Sequence, residues 1–295
     1  MRDLELVTKN YSLTFGGVHA EAHVAPNGVQ YLKEHGVVLI GQTATELGVL
    51  EKYLKGYPGS GFEDYLADPT HLDGGTLLSK FSGQLCYMSL GAKRTKNAQA
   101  DVYFENIKKE GHGSVLEHPV YTMLFYGIDR AFTHEAVRHR AGYAYSQQSQ
   151  RYVGPEMVRY VMPRAMQKNE RGQELFLRHC ATNLVAYKER IEYLLDTEAD
   201  IEGESRTDKR KRVQSFGRKA LANEVEAPIV ISGNIRAWRH MLTARVAPKA
   251  DEGIRVPSYD AFRILRTVMP IGFADFEETK LNDGTMGISP AYRKV

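Results

Sequence analysis

Fifteen residues from Arg138 to Tyr152, RHRAGYAYSQQSQRY, gather the side chains of this chain best suited to hold an anionic, planar ligand. Arg138, His139 and Arg140 precede a Gly-Tyr-rich bend, and Ser149, Arg151 and Tyr152 close the polar run that follows. Arginine offers a flat fork of donors that matches phosphate and stacks on rings. If Gln147 to Tyr152 is extended, Gln147, Ser149 and Arg151 share one face, because side chains alternate along a strand. That face carries an amide, a hydroxyl and a guanidinium, a set suited to a phosphate and a pyrimidine edge. RHR alone leaves two readings open. On a helix its side chains point ~100° apart and surround an extended ligand, or they only complement the negative end of the helix dipole.

A second polar cluster, EGHGSVLEH at 110–118, holds His112, Ser114, Glu117 and His118. Histidines are dense here, yet their spacing matches no standard zinc or 2-His-1-carboxylate pattern, so no metal is expected. Glu117 and Ser114 could instead hydrogen-bond a sugar or a ribityl chain. The third cluster is Asn234, Arg236, His240 and Arg245, with Arg218 upstream. Arg236 and His240 are i,i+4 neighbours on one helical face, and Arg245 ends that helix where its side chain can reach into a cleft. Taken singly, these are equally well surface cations beside a buried Trp238.

Other chemistries lack their motifs. There is no phosphate-cradling glycine loop and no GxSxG elbow, and Ser149 has no histidine at a motif spacing. Cys86, in the apolar setting LCYM, reads as a structural thiol and not as a nucleophile.

The elements that must position these residues follow from periodicity and breakers. Residues 75–90 and 100–112 read as helices, the second stopped by Gly111. HPVYTMLFYGI at 118–128 reads as a continuously apolar, mostly buried strand. Asp129 is expected to cap a helix from Arg130 toward Arg140, with Phe132 and Ala136 inward and Gly142 at its end. Residues 181–195 form an amphipathic helix with Leu184, Tyr187, Ile191 and Leu195 on one side. DKRKR at 208–212 reads as a solvated face, since no aromatics interleave with it to make a nucleic-acid patch. APIVIS at 227–232 reads as a strand, 234–245 as a helix with Ile235, Trp238 and Leu242 inward, and 258–269 as the last helix. KGYPGSGF at 55–62 and ADPTHLDGG at 67–75 read as loops.

The chain has 295 residues, 42% hydrophobic and 25% charged, with a formal charge of +3. That is ordinary for a globular protein, and the weak charge argues neither for nor against nucleic acid. Cys86 and Cys180 give no disulfide framework and fit a reducing compartment. No apolar run approaches the ~20 residues that span a bilayer, and the start has no signal-peptide core. A cytoplasmic protein without membrane contact is expected.

Together and in order, EGHGSVLEH, RHRAGYAYSQQSQRY and NIRAWRHMLTAR with Arg218 resemble the flavin-dependent thymidylate synthases, over about residues 82–275. The resemblance implies an α+β fold with a twisted, largely antiparallel sheet and packed helices. It implies one catalytic domain over 1–295 with an N-terminal elaboration over about 1–80, and a homotetramer whose sites draw on several subunits. It implies FAD as cofactor, with NADPH as reductant and methylenetetrahydrofolate as one-carbon donor, in the reductive methylation of uracil C5 from dUMP to dTMP. By the same resemblance Ser114, Arg138, His139, Arg140, Gln147, Asn234, Arg236 and His240 contact FAD, with His112 and Glu117 beside the flavin and His112 near the folate. Gln147, Gln148, Ser149, Gln150 and Arg151 hold the nucleotide, joined by Arg130, Glu135, Arg138 and Arg218. Arg245 sits at the uracil and favours its N3-deprotonated form, an electrostatic device that needs no enzyme nucleophile. Ser149 is then a positioning group.

Eight residues separate Arg140 from Ser149, where about seven are commonest in the family. A one-residue change flips every side chain of a strand, so Ala141 to Tyr145 is expected to absorb it as a bulge or an extra turn. This leaves UMP as the second candidate substrate. A nucleic-acid-binding module built on RHR and DKRKR is the reading from another class.

Overall fold

The computed structural model describes residues 14–15, 21–58, 72–90 and 99–295. The expected loops at 55–62 and 67–75 lie partly outside the described residues, as does much of the first 80. In chain order the strands are β1 (Thr14–Phe15), β2 (His23–Val24), β3 (Gln30–Leu32), β4 (Gly36–Gln42), β5 (Val120–Tyr126), β6 (Tyr143–Gln147), β7 (Arg159–Val161), β8 (Ile229–Asn234), β9 (Phe276–Lys280) and β10 (Met286–Pro290). The helices are α1 (Leu47–Lys55), α2 (Gly74–Cys86), α3 (Ala100–Glu110), α4 (Arg130–Ala136), α5 (Arg164–Gln167), α6 (Glu170–Thr197), α7 (Arg206–Gly217), α8 (Ile235–Arg245) and α9 (Glu252–Val268).

The largest sheet runs β1-β4-β5-β8-β6, antiparallel at every pairing. Alternation along β5 sends Tyr121, Met123 and Phe125 into the core, and Ile229 and Ile231 of β8 join them. Thr122 and Ser232 face the other way and hydrogen-bond at 2.9 Å. Thus β5 is mostly buried, as expected: its second face is half-buried at Thr122 and Leu124 and buried at Tyr126, and only Val120, at 41%, is exposed. Residues of α3, α4, α8 and α9 cover the apolar face. Trp238 stacks on Phe125 and donates its indole N–H to the Tyr121 carbonyl at 3.2 Å, so its one polar atom is satisfied. This arrangement is the expected α+β fold.

A smaller cluster joins Phe176, Cys180, Tyr187 and Ile191 of α6 to Val213 of α7 and Tyr160 of β7. Leu195, expected on the inner side of α6, is 42% exposed, and Leu184 packs only in part. The DKRKR run lies on α7 as a solvated face tied to neighbouring acids: Lys209 to Asp200, Lys211 to Asp208, and Arg212 to Glu198 and Glu204. Cys180 is the buried thiol, while Cys86 is exposed at the end of α2.

Two helix boundaries depart from expectation. The last core helix begins at Glu252, because Asp251 accepts from the Gly253 N–H at 2.8 Å and carries the helix through Pro257. The helix begun at the Asp129 cap stops at Ala136, short of Arg140. Tyr145 of β6 donates its hydroxyl to the carbonyls of Ala136 and His139, which withdraws them from further helical turns. RHR therefore lies in the turn after α4, and Gly142, at φ +76°, shapes the entry to β6. Among the described residues no helix is long and apolar enough to cross a membrane.

Candidate functional site

A cleft of about 500 Å³ opens between the RHR turn and the start of α8. Arg138, His139, Arg140 and Gly142 form one part of its wall, and Asn234, Arg236, Ala237 and His240 another. Asn234 builds the junction. Its side-chain oxygen caps α8 by accepting the Ala237 N–H at 2.8 Å, and its backbone N–H reaches the Gly142 carbonyl at 3.1 Å. A Cβ at Gly142 would meet the Asn234 amide at 2.6 Å, so only glycine permits this approach. Glu117 enters the cleft through an ion pair with Arg236 at 2.6 Å.

Behind this wall Arg245 ends α8 and is held from two sides. Its Nε donates to His139 Nε2 at 2.9 Å, one terminal amino group pairs with the Glu135 carboxylate, and the other donates to the Glu135 carbonyl at 3.1 Å. Arg138 reaches the same carboxylate at 2.9 Å. Desolvation raises the Glu135 carboxyl, but Arg138 and Arg245 outweigh it and hold it below the usual range. His139 is pushed down to about 4, first by burial and then by Arg245, His240 and Arg138. The His240 ring meets it edge-on at 5.5 Å. Because arginine only donates, His139 Nε2 carries the lone pair and the ring proton sits on Nδ1.

The remaining predicted residues lie elsewhere. β6 carries the chain from Tyr143 at the cleft to Gln147, four residues and about 13 Å further on. Beyond it the segment turns, with the Tyr152 N–H on the Ser149 carbonyl, and is not extended as expected. Gln148 is tied through its N–H to Pro228. Among the described residues Ser149 Oγ meets only the Arg151 N–H, at 3.4 Å, and Arg151 donates to Ser215 on α7 at 2.9 Å. Gln150 Nε2 is buried with no hydrogen-bond partner among the described residues. Arg218 follows α7 directly, and the Arg130 guanidinium feels both burial and the charge of Arg218, which push it below its ordinary value. A cation destabilised by another cation, with no carboxylate beside it among the described residues, is suited to an anionic ligand. The strand between the two groups keeps an unbroken register from Tyr143 to Gln147, and a turn at Arg140–Tyr143 precedes it; no bulge forms within β6.

His112 and Ser114 are exposed about the short turn Gly113–Glu117 and do not line the cleft. That turn packs on α8, since a Cβ at Gly113 would meet Arg236 Nε at 2.8 Å. Arg293, Lys294 and Val295 do line it. They sit far along the chain from the three motifs, and nothing in their spacing connects them to RHR. Tyr145, whose hydroxyl stops α4, also went unread, because a tyrosine on a strand is an ordinary core residue.

Comparison with known proteins fits this geometry. Residues 70–271 match the family described as thymidylate synthase complementing protein. The chain is 39% identical over 230 residues to the flavin-dependent thymidylate synthase of Mycobacterium tuberculosis, covering 75% of this chain and 90% of that one. It is 36% identical over 233 residues to the enzyme of the same description from Mycobacteroides abscessus, covering 77% and 92%. A solved structure, the UMP/dUMP methylase PolB from Streptomyces cacaoi bound with 5-Br dUMP, shares the fold with a TM-score of 0.50 at 18% identity, covering 82% of this chain and 95% of that one. With the RHR turn, the Asn234 junction and Arg245 all in place, the chain belongs to the flavin-dependent thymidylate synthases, enzymes of the methyltransferase type.

Proposed function

We propose that this enzyme methylates C5 of the uracil in dUMP, with methylenetetrahydrofolate as carbon donor and NADPH as reductant, and with FAD held in the cleft between the RHR turn and α8. The observation that carries the reading is the convergence of Arg138, His139, Arg140, Asn234, Arg236 and His240 on one cleft from two separate motifs. The donor set suits the cofactor. Permanent cations match a diphosphate, and the Asn234 amide nitrogen and the Arg140 guanidinium have no partner among the described residues. These residues would hold FAD, whose chemistry when reduced and bound there would be to supply a hydride for converting the transferred one-carbon unit into a methyl group.

The chain's own residues bind and polarise. Arg130 and Arg218 take the nucleotide phosphate, while Gln147 to Arg151 orient the sugar and base. Arg245 stabilises the uracil anion deprotonated at N3. Glu135 and His139 fix its guanidinium while three of its five N–H donors are used, leaving two for a ligand. Ser149 has no base at hydrogen-bond distance among the described residues and serves as a positioning group. His112, Ser114 and Glu117 border the flavin, with His112 toward the folate.

The two groups of residues lie at opposite ends of β6, whereas a hydride donor must touch the carbon it reduces. A homotetramer, in which one subunit's nucleotide residues meet another's cleft, reconciles the two. The whole chain then acts as one catalytic domain, and a cytoplasmic setting suits its co-substrates. UMP is the second reading, favoured by the turn at Arg140–Tyr143 and by the substrates named for the Streptomyces methylase. Purified protein should be yellow or take up FAD. It should release tritium from 5-labelled dUMP when NADPH and methylenetetrahydrofolate are supplied, and a parallel assay with UMP ranks the sugars. A protein that neither carries nor rebinds FAD ends the proposal.

A further inference from the structure

Residues 291–295 lie beyond the last strand, since β10 ends at Pro290, and are fastened mainly by side chains of the neighbouring elements. The Ala291 N–H reaches the Asp275 carbonyl at 2.9 Å, and the Tyr292 N–H faces the Asp275 carboxylate at 3.4 Å. Arg239, fully buried on α8, donates to the backbone oxygens of Tyr292 at 3.2 Å and Val295 at 3.0 Å. Its guanidinium is itself fixed by a two-pronged pair with Asp275 at 2.7 and 2.8 Å, over the Phe276 ring. Tyr292 is held again by its hydroxyl on Glu105, and Val295 is packed into the core.

Between these anchors stand Arg293 and Lys294. Both are exposed, both line the cleft, and neither has an ion pair or hydrogen bond among the described residues. Among the side chains described, the cleft wall then carries five permanent cations against one carboxylate, Glu117, which Arg236 already occupies. Holding a short segment rigid through a buried arginine, only to set two unpaired cations beside three others, costs self-repulsion. A multiply charged anion in the cleft removes that cost.

We infer that Arg293 and Lys294 are a phosphate-binding wall of the cleft, taking the diphosphate of the bound dinucleotide cofactor. This rests on the reading of the cleft as the FAD site. The segment acts as a preformed clamp, because Arg239 and Asp275 fix it before any ligand arrives.

The test is flavin binding by the full-length protein carrying R293A/K294A, with R293K/K294R as the charge-preserving control. FAD affinity, read from flavin fluorescence, should fall on the order of 10- to 100-fold in the alanine variant and stay near wild type in the control. The loss should shrink as salt is raised. Riboflavin, which lacks phosphate, should bind both variants as it binds wild type, and dUMP affinity and melting temperature should not move. FAD affinity within twofold of wild type for R293A/K294A overturns the inference, as does an equal loss for riboflavin. A changed NADPH requirement with unchanged FAD binding would assign the pair to the other dinucleotide and likewise overturn it. If wild-type protein itself does not bind FAD, the functional reading fails first, and that outcome is distinct.

Discussion

Arg245 donates from Nε to Nε2 of His139 at 2.9 Å, so the last residue of α8 fixes the tautomer of the central residue of RHR, with the ring proton on Nδ1. A protonated imidazole would present a proton to a donor. Burial and Arg245 together depress the His139 pKa to about 4.

The first prediction concerns pH. A histidine whose folded pKa lies below its unfolded value of 6.5 contributes stability that is complete above pH 6.5. That stability is lost as pH falls toward 4, because the unfolded chain binds the proton that the folded one refuses. The contribution is about 1–2 kcal/mol once discounted for a half-buried site. NMR titration of His139 should show a neutral Nδ1–H ring down to about pH 5. In Arg245→Ala the pKa should rise but stay below 6.5, since burial is the larger cause.

Arg245 itself carries the second. Removing a fixed cation from the charge it stabilises typically costs 10²–10³ in rate. Arg245→Ala should therefore lose nearly all turnover while binding FAD normally, because Arg245 lies outside the cleft wall. Normal turnover, or loss of flavin with the activity, refutes the role. Ser149→Ala should weaken nucleotide binding and leave the flavin spectrum unchanged.

The reach of sequence reasoning was set by how local each signal is. Asn234 before an apolar i, i+4 pattern and Gly111 after one are local events, so α8 and the end of α3 stand where expected. The end of α4 was not legible, because the group that stops it is Tyr145, on a strand that returns only after the turn. Likewise Pro257 reads as a breaker until the Asp251 cap is seen to start the helix earlier. RHR, Asn234, Arg236 and His240 meeting in one cleft was legible from ordered motifs. Arg293 and Lys294 were not, since a distant buried arginine places them.

Gly142 gives the third prediction. At φ +76° an L-residue is strained, and a Cβ there would lie 2.6 Å from the Asn234 amide. Gly142→Ala should cost about 1–2 kcal/mol of stability from the backbone alone. It should also weaken FAD binding by displacing Asn234, whereas Gly284→Ala, also at positive φ but with nothing within 4 Å, should show the stability loss alone. Thermal melts and flavin titrations of both variants separate strain from the steric effect.

The last prediction is about charge buried beneath the cleft. Asp275 accepts from Arg239 at 2.7 and 2.8 Å and from Lys108 at 3.2 Å, and all three side chains are at most 2% exposed. Burial raises the Asp275 carboxyl, yet the two cations outweigh it and hold the group below its usual range. Asp275→Asn keeps the shape but leaves two buried cations uncompensated, a loss of roughly 3–5 kcal/mol by analogy with broken buried pairs. Lys108→Met removes one cation and with it the bonds to Asp275 and the Ile271 carbonyl, but leaves the two-pronged Arg239–Asp275 pair neutral and intact. It should cost about 1 kcal/mol or less. Chemical denaturation of the two variants checks the order. If Lys108→Met is the more damaging, Lys108 and not Arg239 is the main partner of Asp275, and the clamp on Tyr292–Val295 must be held chiefly by packing.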